Sequence, residues 1–212
     1  MNKKKVLTLI TAVSLVGVIG VGSTLAYFTD KEDITNVITM DHVDITLFEN
    51  TVVADSDGNY TAETEITEEG LAFSDVVAGQ TLPKNPTVEV EEGSADSYVR
   101  VKMTIENQEG SNISQDDLNA LKDLIVINDG WTLNEEDGYY YYGLELEEKA
   151  QVTLFDEVTI PTSWGNDTAD QSFAIKLQAE AIQAHFTDDV VTKDADDNVI
   201  AWSLTADEIE EY

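Results

Sequence analysis

The two histidines of the chain, His42 and His185, are its candidates for zinc chemistry. Acidic residues stand near both, at positions 41 and 44 and at positions 188 and 189. Imidazole and carboxylate groups can hold zinc together, so a site that combines both histidines is one interpretation. The other is two exposed histidines on strands. The chain has no His-Glu-x-x-His sequence, which excludes the usual helical zinc-protease site.

Nucleophilic catalysis has no recognisable motif in this sequence. The chain has no cysteine, and no Gly-x-Ser-x-Gly elbow that would present a catalytic serine. Its 43 Asp and Glu residues are so numerous that a carboxylate pair carries no information about acid–base work. We therefore predict no catalytic residue and no required cofactor.

Calcium is the better metal candidate. Asp55, Asp57 and Asn59 alternate around Gly58, as oxygen ligands do at the start of a calcium loop. The distal glutamate of an EF-hand would fall at Ile66, which excludes an EF-hand. The alternative is an acidic hairpin turn, and positions 194, 196 and 198 repeat the spacing without the glycine.

The elements that would position these candidate metal ligands show mainly a period-two alternation of apolar and polar residues. Residues 97–107 and 171–181 alternate cleanly, which predicts strands with apolar side chains towards a core and polar side chains towards water. Weaker strand patterns cover residues 37–48, with a bulge near position 41, and residues 71–77, 87–92 and 151–160. Asp-Gly turns at positions 57 and 137 predict hairpins, the second joining residues 131–133 to the tyrosines at 139–142.

Two short helices complete the predicted elements. One begins after Ser114 as N-cap and runs to Leu124, and the other begins near Thr205. Many short strands separated by turns favour an all-β fold, namely an antiparallel jelly-roll-like β-sandwich over residues 39–212.

The charge of the chain restricts its partners. The net charge is −32, and removing residues 1–26 leaves 8 basic against 43 acidic residues. Such a surface repels phosphate groups, so we expect no nucleic acid partner. It suits an extracellular surface, and a secreted chain without disulfides must be held by its core, a metal or a partner chain.

Residues 1–26 have the organisation of a secretory signal peptide. Three lysines precede an uncharged apolar stretch, and Thr24 and Ala26 supply the small residues before a cut between Ala26 and Tyr27. The alternative is an uncleaved membrane anchor, because residues 6–28 carry no charge and are long enough to cross a bilayer. In the first case the chain works outside the cytoplasm.

The segment that follows the cut, residues 27–38, is apolar and suited to a strand. Its apolar residues are Tyr27, Phe28, Ile34, Val37 and Ile38. It is either the first strand of its own sheet or a strand that pairs with another molecule.

Several of these segments, in order, resemble the TasA/camelysin (CalY) family of Gram-positive bacteria. The sequence from Gly22 to Asp30 resembles the signal class cut by the SipW-type signal peptidase. The later blocks that resemble the family are Val43 to Leu47, Ala78 to Gln80 with Pro86 to Val88, Ser97 to Lys102, Gly138 to Tyr142, Thr153 to Phe155 and Ala179 to Ala184.

The resemblance implies a secreted jelly-roll subunit of biofilm-matrix fibres. Family members are thought to insert their N-terminal strand into the next subunit, which would make residues 27–38 the donor strand and another copy the partner. A related matrix subunit or a nucleator is a further possible partner. This sequence departs from the family pattern at Met40-Asp41, where relatives often have a glycine before the strand.

Two other functions stay open. Camelysin is named as a metallopeptidase, so the resemblance also allows a surface metalloendopeptidase that uses His42 and His185. A monomeric adhesin could instead use Trp131 and the tyrosines at 139–142, although aromatic runs in strands more often form core and cross-strand pairs.

Overall fold

Antiparallel strands dominate the computed structural model of the chain, which describes residues 42–185 and 190–203. In chain order they are β1 (Ile45–Ala54), β2 (Tyr60–Thr67), β3 (Thr81–Pro83), β4 (Thr87–Val90), β5 (Ser97–Asn107), β6 (Trp131–Leu133), β7 (Tyr139–Tyr142), β8 (Gln151–Thr153), β9 (Glu157–Thr159), β10 (Phe173–Gln183), β11 (Val191–Lys193) and β12 (Val199–Trp202). Within these ranges there is one helix, α1 (Gln115–Leu124). The predicted all-β class is confirmed at this level.

Two four-stranded sheets share the main core. One has the order β2-β1-β4-β8 and the other the order β10-β5-β7-β6, while β11-β12 and β3-β9 form two-stranded sheets. Val88 and Val152 from the first sheet and Val101 and Tyr140 from the second belong to one hydrophobic cluster. The two large sheets therefore pack against each other through their apolar faces.

The strands β5 and β10 pair over their whole length, from Phe173 opposite Asn107 to Gln183 opposite Ser97. Both alternating segments are thus confirmed as strands. The prediction that all their polar residues face water was wrong for Arg100 and Glu180, which are 4% and 8% exposed. They are buried because β11 and β12 lie over this part of the sheet and build a second cluster there.

Helix α1 begins where its capping residue predicts. The Ser114 side chain accepts a hydrogen bond from the backbone N–H of Asp117, and Asp116 and Asp117 stand in the first turn. Leu118 and Leu121 are the buried residues of the helix. Propensity, cap and apolar spacing all agree here, which explains why this element is readable from sequence.

Both predicted Asp-Gly hairpins are present, as β1-β2 and β6-β7. The patterns at 71–77 and 151–160 were misleading. The first segment is irregular, with Asp75 at φ +56°, and its Phe73 packs against Tyr60 instead of entering a sheet. The second divides into β8 and β9 because the chain leaves β4 at the buried Phe155 and then pairs with β3.

Several predictions fall outside the described residues. These are the signal peptide at 1–26, the donor strand at 27–38, the bulge near position 41 and the helix after Thr205. Within the described ranges, none of the helical structure combines the length and apolar character needed to cross a bilayer.

Candidate functional site

An apolar depression lies between the two large sheets, at the edge formed by β10. We call it the edge groove, and its volume is about 340 Å³. It is lined by Leu47, Phe48 and Glu49 of β1, by Thr67, Glu69 and Gly70 at the end of β2, by Lys84, and by Ile175, Lys176 and Leu177 of β10.

Strand β10 leaves one of its sides unpaired at this groove. It is the outermost strand of its sheet and pairs with β5 alone among the described strands. Its core-facing Ile175 and Leu177 stay half-buried, and so does Leu47 on the facing sheet. An unpaired strand edge next to incompletely covered apolar side chains is the arrangement that accepts an additional strand.

Two of the few basic residues of this acidic chain border the edge groove. The Lys84 Nζ atom donates to both carboxylate oxygens of Glu49, at 2.7 and 2.8 Å, and both side chains are buried. Lys176 is exposed at the rim, 2.5 Å from the Glu106 carboxylate. Both lysines are thus already paired with carboxylates, and Glu69 also lines the groove, so the groove carries no excess positive charge.

The other end of β10 carries a buried polar network centred on Arg100. Its Nε and Nη2 atoms donate to Glu180 Oε2 at 2.8 and 2.5 Å, and Nη1 donates to the Tyr141 hydroxyl at 2.9 Å. The Tyr139 hydroxyl donates to Glu180 Oε1 at 2.7 Å, and the Tyr141 hydroxyl donates to the Asp137 carboxylate at 2.6 Å. The charged groups of Arg100 and Glu180 are thus both hydrogen-bonded within the protein.

Aromatic rings enclose the same guanidinium group. The Arg100 Cζ atom is 4.1 Å from the centroid of the Tyr139 ring and 4.5 Å from that of Trp202, which belongs to β12. Burial, together with the hydrogen bond to the Glu180 carboxylate, raises the pKa of Tyr139 to about 12. The network therefore fastens the β11-β12 hairpin to the sheet.

This packing buries most of the aromatic residues that were candidates for a ligand-binding surface. Trp131, Tyr139, Tyr140 and Tyr141 are all buried, some in the main core and some beneath β11-β12. Only a half-buried Tyr142 remains of the ladder. These rings are core and cross-strand contacts, and they do not form an open platform for an adhesin ligand.

The calcium candidate, Asp55 with Asp57 and Asn59, forms the tip of the β1-β2 hairpin. One carboxylate oxygen of Asp55 accepts hydrogen bonds from the backbone N–H groups of Asp57 and Asn59, at 2.8 and 2.9 Å. Gly58 adopts the left-handed φ of +82° that this turn requires. These hydrogen bonds lower the pKa of Asp55. They account for the residue pattern, and calcium binding stays a prediction.

The two histidines differ in their surroundings. His185 meets Asp96 and Glu145, and one ligand atom from each lies within 4.8 Å of the other two. His42 is outside this group, and its carbonyl oxygen accepts a hydrogen bond from the Ala95 N–H at 2.9 Å. The zinc pair of His42 and His185 stays a prediction, and the neighbours of His185 that the structure shows are acids that sequence spacing gave no means to find.

Comparison with protein-family models, curated proteins and solved structures finds no significant match to the chain. The resemblance to the TasA/camelysin family therefore stays a prediction from the sequence.

Proposed function

We propose that the chain is a secreted structural subunit of extracellular fibres, of the biofilm-matrix type that the sequence resembles. Each copy would place its residues 27–38 in the edge groove of the next copy, completing a jelly-roll-like sandwich. The observation that supports this most directly is the half-buried apolar edge at Ile175 and Leu177, beside the unpaired side of β10. A growing chain of copies needs no closed symmetry, because this contact is head to tail.

The lengths of the donor and the acceptor agree. Twelve extended residues span about 40 Å, and the eleven residues of β10 span about 36 Å at the usual rise per residue. Main-chain hydrogen bonds to the free edge would supply affinity, and the apolar donor side chains would cover Leu47, Ile175 and Leu177. Such an interface gives a cysteine-free protein durability that a single copy lacks.

Charge bears on the conditions of assembly and does not select this contact. The donor segment, residues 27–38, carries one basic and three acidic residues, and the two lysines that border the edge groove are already paired with Glu49 and Glu106. The rest of the chain is strongly acidic and repels other copies. Cations or low pH should reduce this repulsion and favour assembly.

The test uses the absence of native cysteines. Two single-cysteine proteins, Val37→Cys in the donor and Leu177→Cys in the groove, are mixed under mild oxidation. The proposal predicts a disulfide between two different chains, detected by mass spectrometry, and filaments of the unmodified protein in electron micrographs. Placing the donor cysteine at Ile34 or Ile38 in parallel covers a shift of register.

Thr132→Cys is the matched control, because it lies exposed on β6 at the opposite edge of the same sheet. The double variant Val37→Cys/Leu177→Cys at high dilution tests the rival arrangement, in which the segment fills its own groove. A monomeric internal disulfide, with no cross-link in the mixture beyond that of Thr132→Cys, would refute the fibre proposal.

A further inference from the structure

We propose that Asp96, Glu145 and His185 form a binding site for a first-row divalent metal ion, with Zn²⁺ the best match. The site is independent of the edge groove and of the proposed fibre contact. It offers two carboxylates and one imidazole whose ligand atoms already lie within 4.8 Å of one another. Ligand atoms on a tetrahedral zinc ion, each about 2 Å from it, stand about 3.3 Å apart, so small side-chain rotations would close the three around an ion.

Backbone hydrogen bonds from three chain segments hold these residues together. Asp96 immediately precedes β5, and its carbonyl oxygen accepts a hydrogen bond from the Ala184 N–H at 2.7 Å, next to His185. The Ser97 and Leu146 backbones exchange two hydrogen bonds of 2.9 Å, which places Glu145 beside the same point. Hydrogen bonds of Asp96 itself and of the residues next to Glu145 and His185 therefore bring the three segments together, which helps to preorganise a site.

The carboxylates also lack protein donors. Within the described residues, no N–H or O–H group donates a hydrogen bond to the side chain of Asp96 or Glu145. The Nδ1 atom of His185 stands 3.8 Å from Glu145 Oε1, which is too long for a hydrogen bond and long enough to admit an ion between them. Two carboxylates that face each other without donors repel one another, and a cation would remove that repulsion.

The donor set selects the class of metal. Carboxylate oxygens alone would favour calcium or magnesium, whereas the imidazole nitrogen of His185 favours zinc and other first-row ions. Three protein ligands leave a fourth position for water. An ion here would tie the segments before β5, after β7 and after β10 to one another, and it would stabilise the folded state by mass action.

The experiment expresses the full chain, purifies its product and titrates it with Zn²⁺ by calorimetry. About 0.15 M salt and excess magnesium keep the many surface carboxylates from contributing. We expect one zinc ion per chain, and a rise in melting temperature of roughly 5–10 °C at a hundredfold excess over Kd. His185→Ala and Glu145→Gln should each weaken zinc binding by about tenfold or more.

Two matched variants keep the test specific. Glu147→Gln removes an exposed glutamate two residues away, and His42→Ala removes the other histidine of the chain. Both should bind zinc within about threefold of the original protein. Because the chain has two histidines, zinc-induced shifts of the His185 imidazole resonances can be read directly, even if a variant folds poorly.

Binding that is unchanged by His185→Ala and Glu145→Gln would overturn the proposal. So would equal losses in Glu147→Gln, which would mean diffuse binding to the acidic surface. A loss in His42→Ala as large as that in His185→Ala, with Glu145→Gln unaffected, would assign zinc to the histidine pair instead.

Discussion

The two ends of the β5-β10 strand pair differ in how completely they are covered. Near Glu180, the core lies on one face and the β11-β12 hairpin on the other, and the charged side chains there are buried and hydrogen-bonded. Near Ile175, the apolar face opens into the edge groove, and Lys176 on the other face is exposed. We call these the covered end and the open end.

The comparison separates the stability of one subunit from its capacity to bind another. At the covered end, polar residues are satisfied inside the subunit, so changes there should act on folding. At the open end, apolar residues stay half-buried and a strand edge is unpaired, so changes there should act on association. Variants at the two ends should therefore give different phenotypes.

The largest expected effect on folding is at the covered end. Arg100→Met leaves the buried Glu180 carboxylate without its cation, which should lower the free energy of unfolding by about 3–5 kcal/mol. Lys176→Met is the control at the open end, because its exposed ion pair with Glu106 should contribute about 0–1 kcal/mol. Urea denaturation of both variants measures the difference.

A second substitution shows whether the lost charge pairing is the cause. Replacing Glu180 by Gln in the Arg100→Met protein should restore part of the stability, because no buried charge is left unpaired. If Arg100→Met and Lys176→Met cost the same, the covered end does not depend on this network.

The open end should show the opposite phenotype. Leu177→Asp places a carboxylate in the apolar edge groove, and burying it under a donor strand would cost each contact roughly 1–3 kcal/mol or more. Filaments should disappear from electron micrographs at temperatures where circular dichroism shows the monomer still folded, although its melting temperature should fall because Leu177 also contacts the main core. Leu133→Asp, at the opposite edge of the same sheet, is the control and should leave filaments intact. If this variant also fails to form filaments, any new charge at a sheet edge blocks assembly.

Alkaline pH should weaken the covered end selectively. The folded protein holds the Tyr139 proton more tightly than the unfolded chain, because its pKa rises from 10.0 to about 12. This contribution is complete below pH 10 and is lost as the pH rises from 10 through about 12. Denaturation curves across that range should fall less steeply for Tyr139→Phe than for the original protein. Tyr142→Phe is the control from the same strand, and its curve should follow the original.

Local signals predicted the elements better than their environments. Alternation located β5 and β10, and the Ser114 cap located α1, because these patterns depend on neighbours in the sequence. Alternation also placed Arg100 and Glu180 in water, since it reports two faces of a strand and cannot report that a distant hairpin covers one of them. The strand predicted around Phe73 was wrong for a related reason. The apolar residues of that segment make separate contacts and do not form one face of a strand.

The candidate sites show the same limit. The edge groove arises from the order of the strands, and nothing near Ile175 or Lys84 in the sequence indicates that they meet. Asp96, Glu145 and His185 come together through backbone pairing between segments far apart in the chain. Sequence spacing suggested only His42 and His185 with their adjacent acids, because acids on neighbouring strands are not visible in a sequence.

The smallest expected effects concern the turns of the two hairpins that flank these ends. Asp55 in β1-β2 and Asp194 in β11-β12 each accept two backbone N–H bonds on one carboxylate oxygen, and these bonds lower both pKa values below 3.8. A lowered folded-state pKa means that the stabilisation is present above the unfolded value and is lost as pH falls through the folded one. Carboxyl chemical shifts followed by NMR from pH 6 downwards should therefore place both midpoints below 3.8.

The same two turns extend the comparison between the ends. Asp194→Ala should speed amide hydrogen exchange in β11 and β12, and with it exchange near Trp202 at the covered end. Asp55→Ala should speed exchange in the β1-β2 hairpin and leave exchange near Trp202 unchanged, because the tip contacts Gln80, which is outside the Arg100 network as described. The expected changes are small, since each turn is exposed and short. Equal exchange near Trp202 in the two variants would mean that the β11-β12 hairpin is held by Arg100 and the aromatic rings alone, without help from its turn.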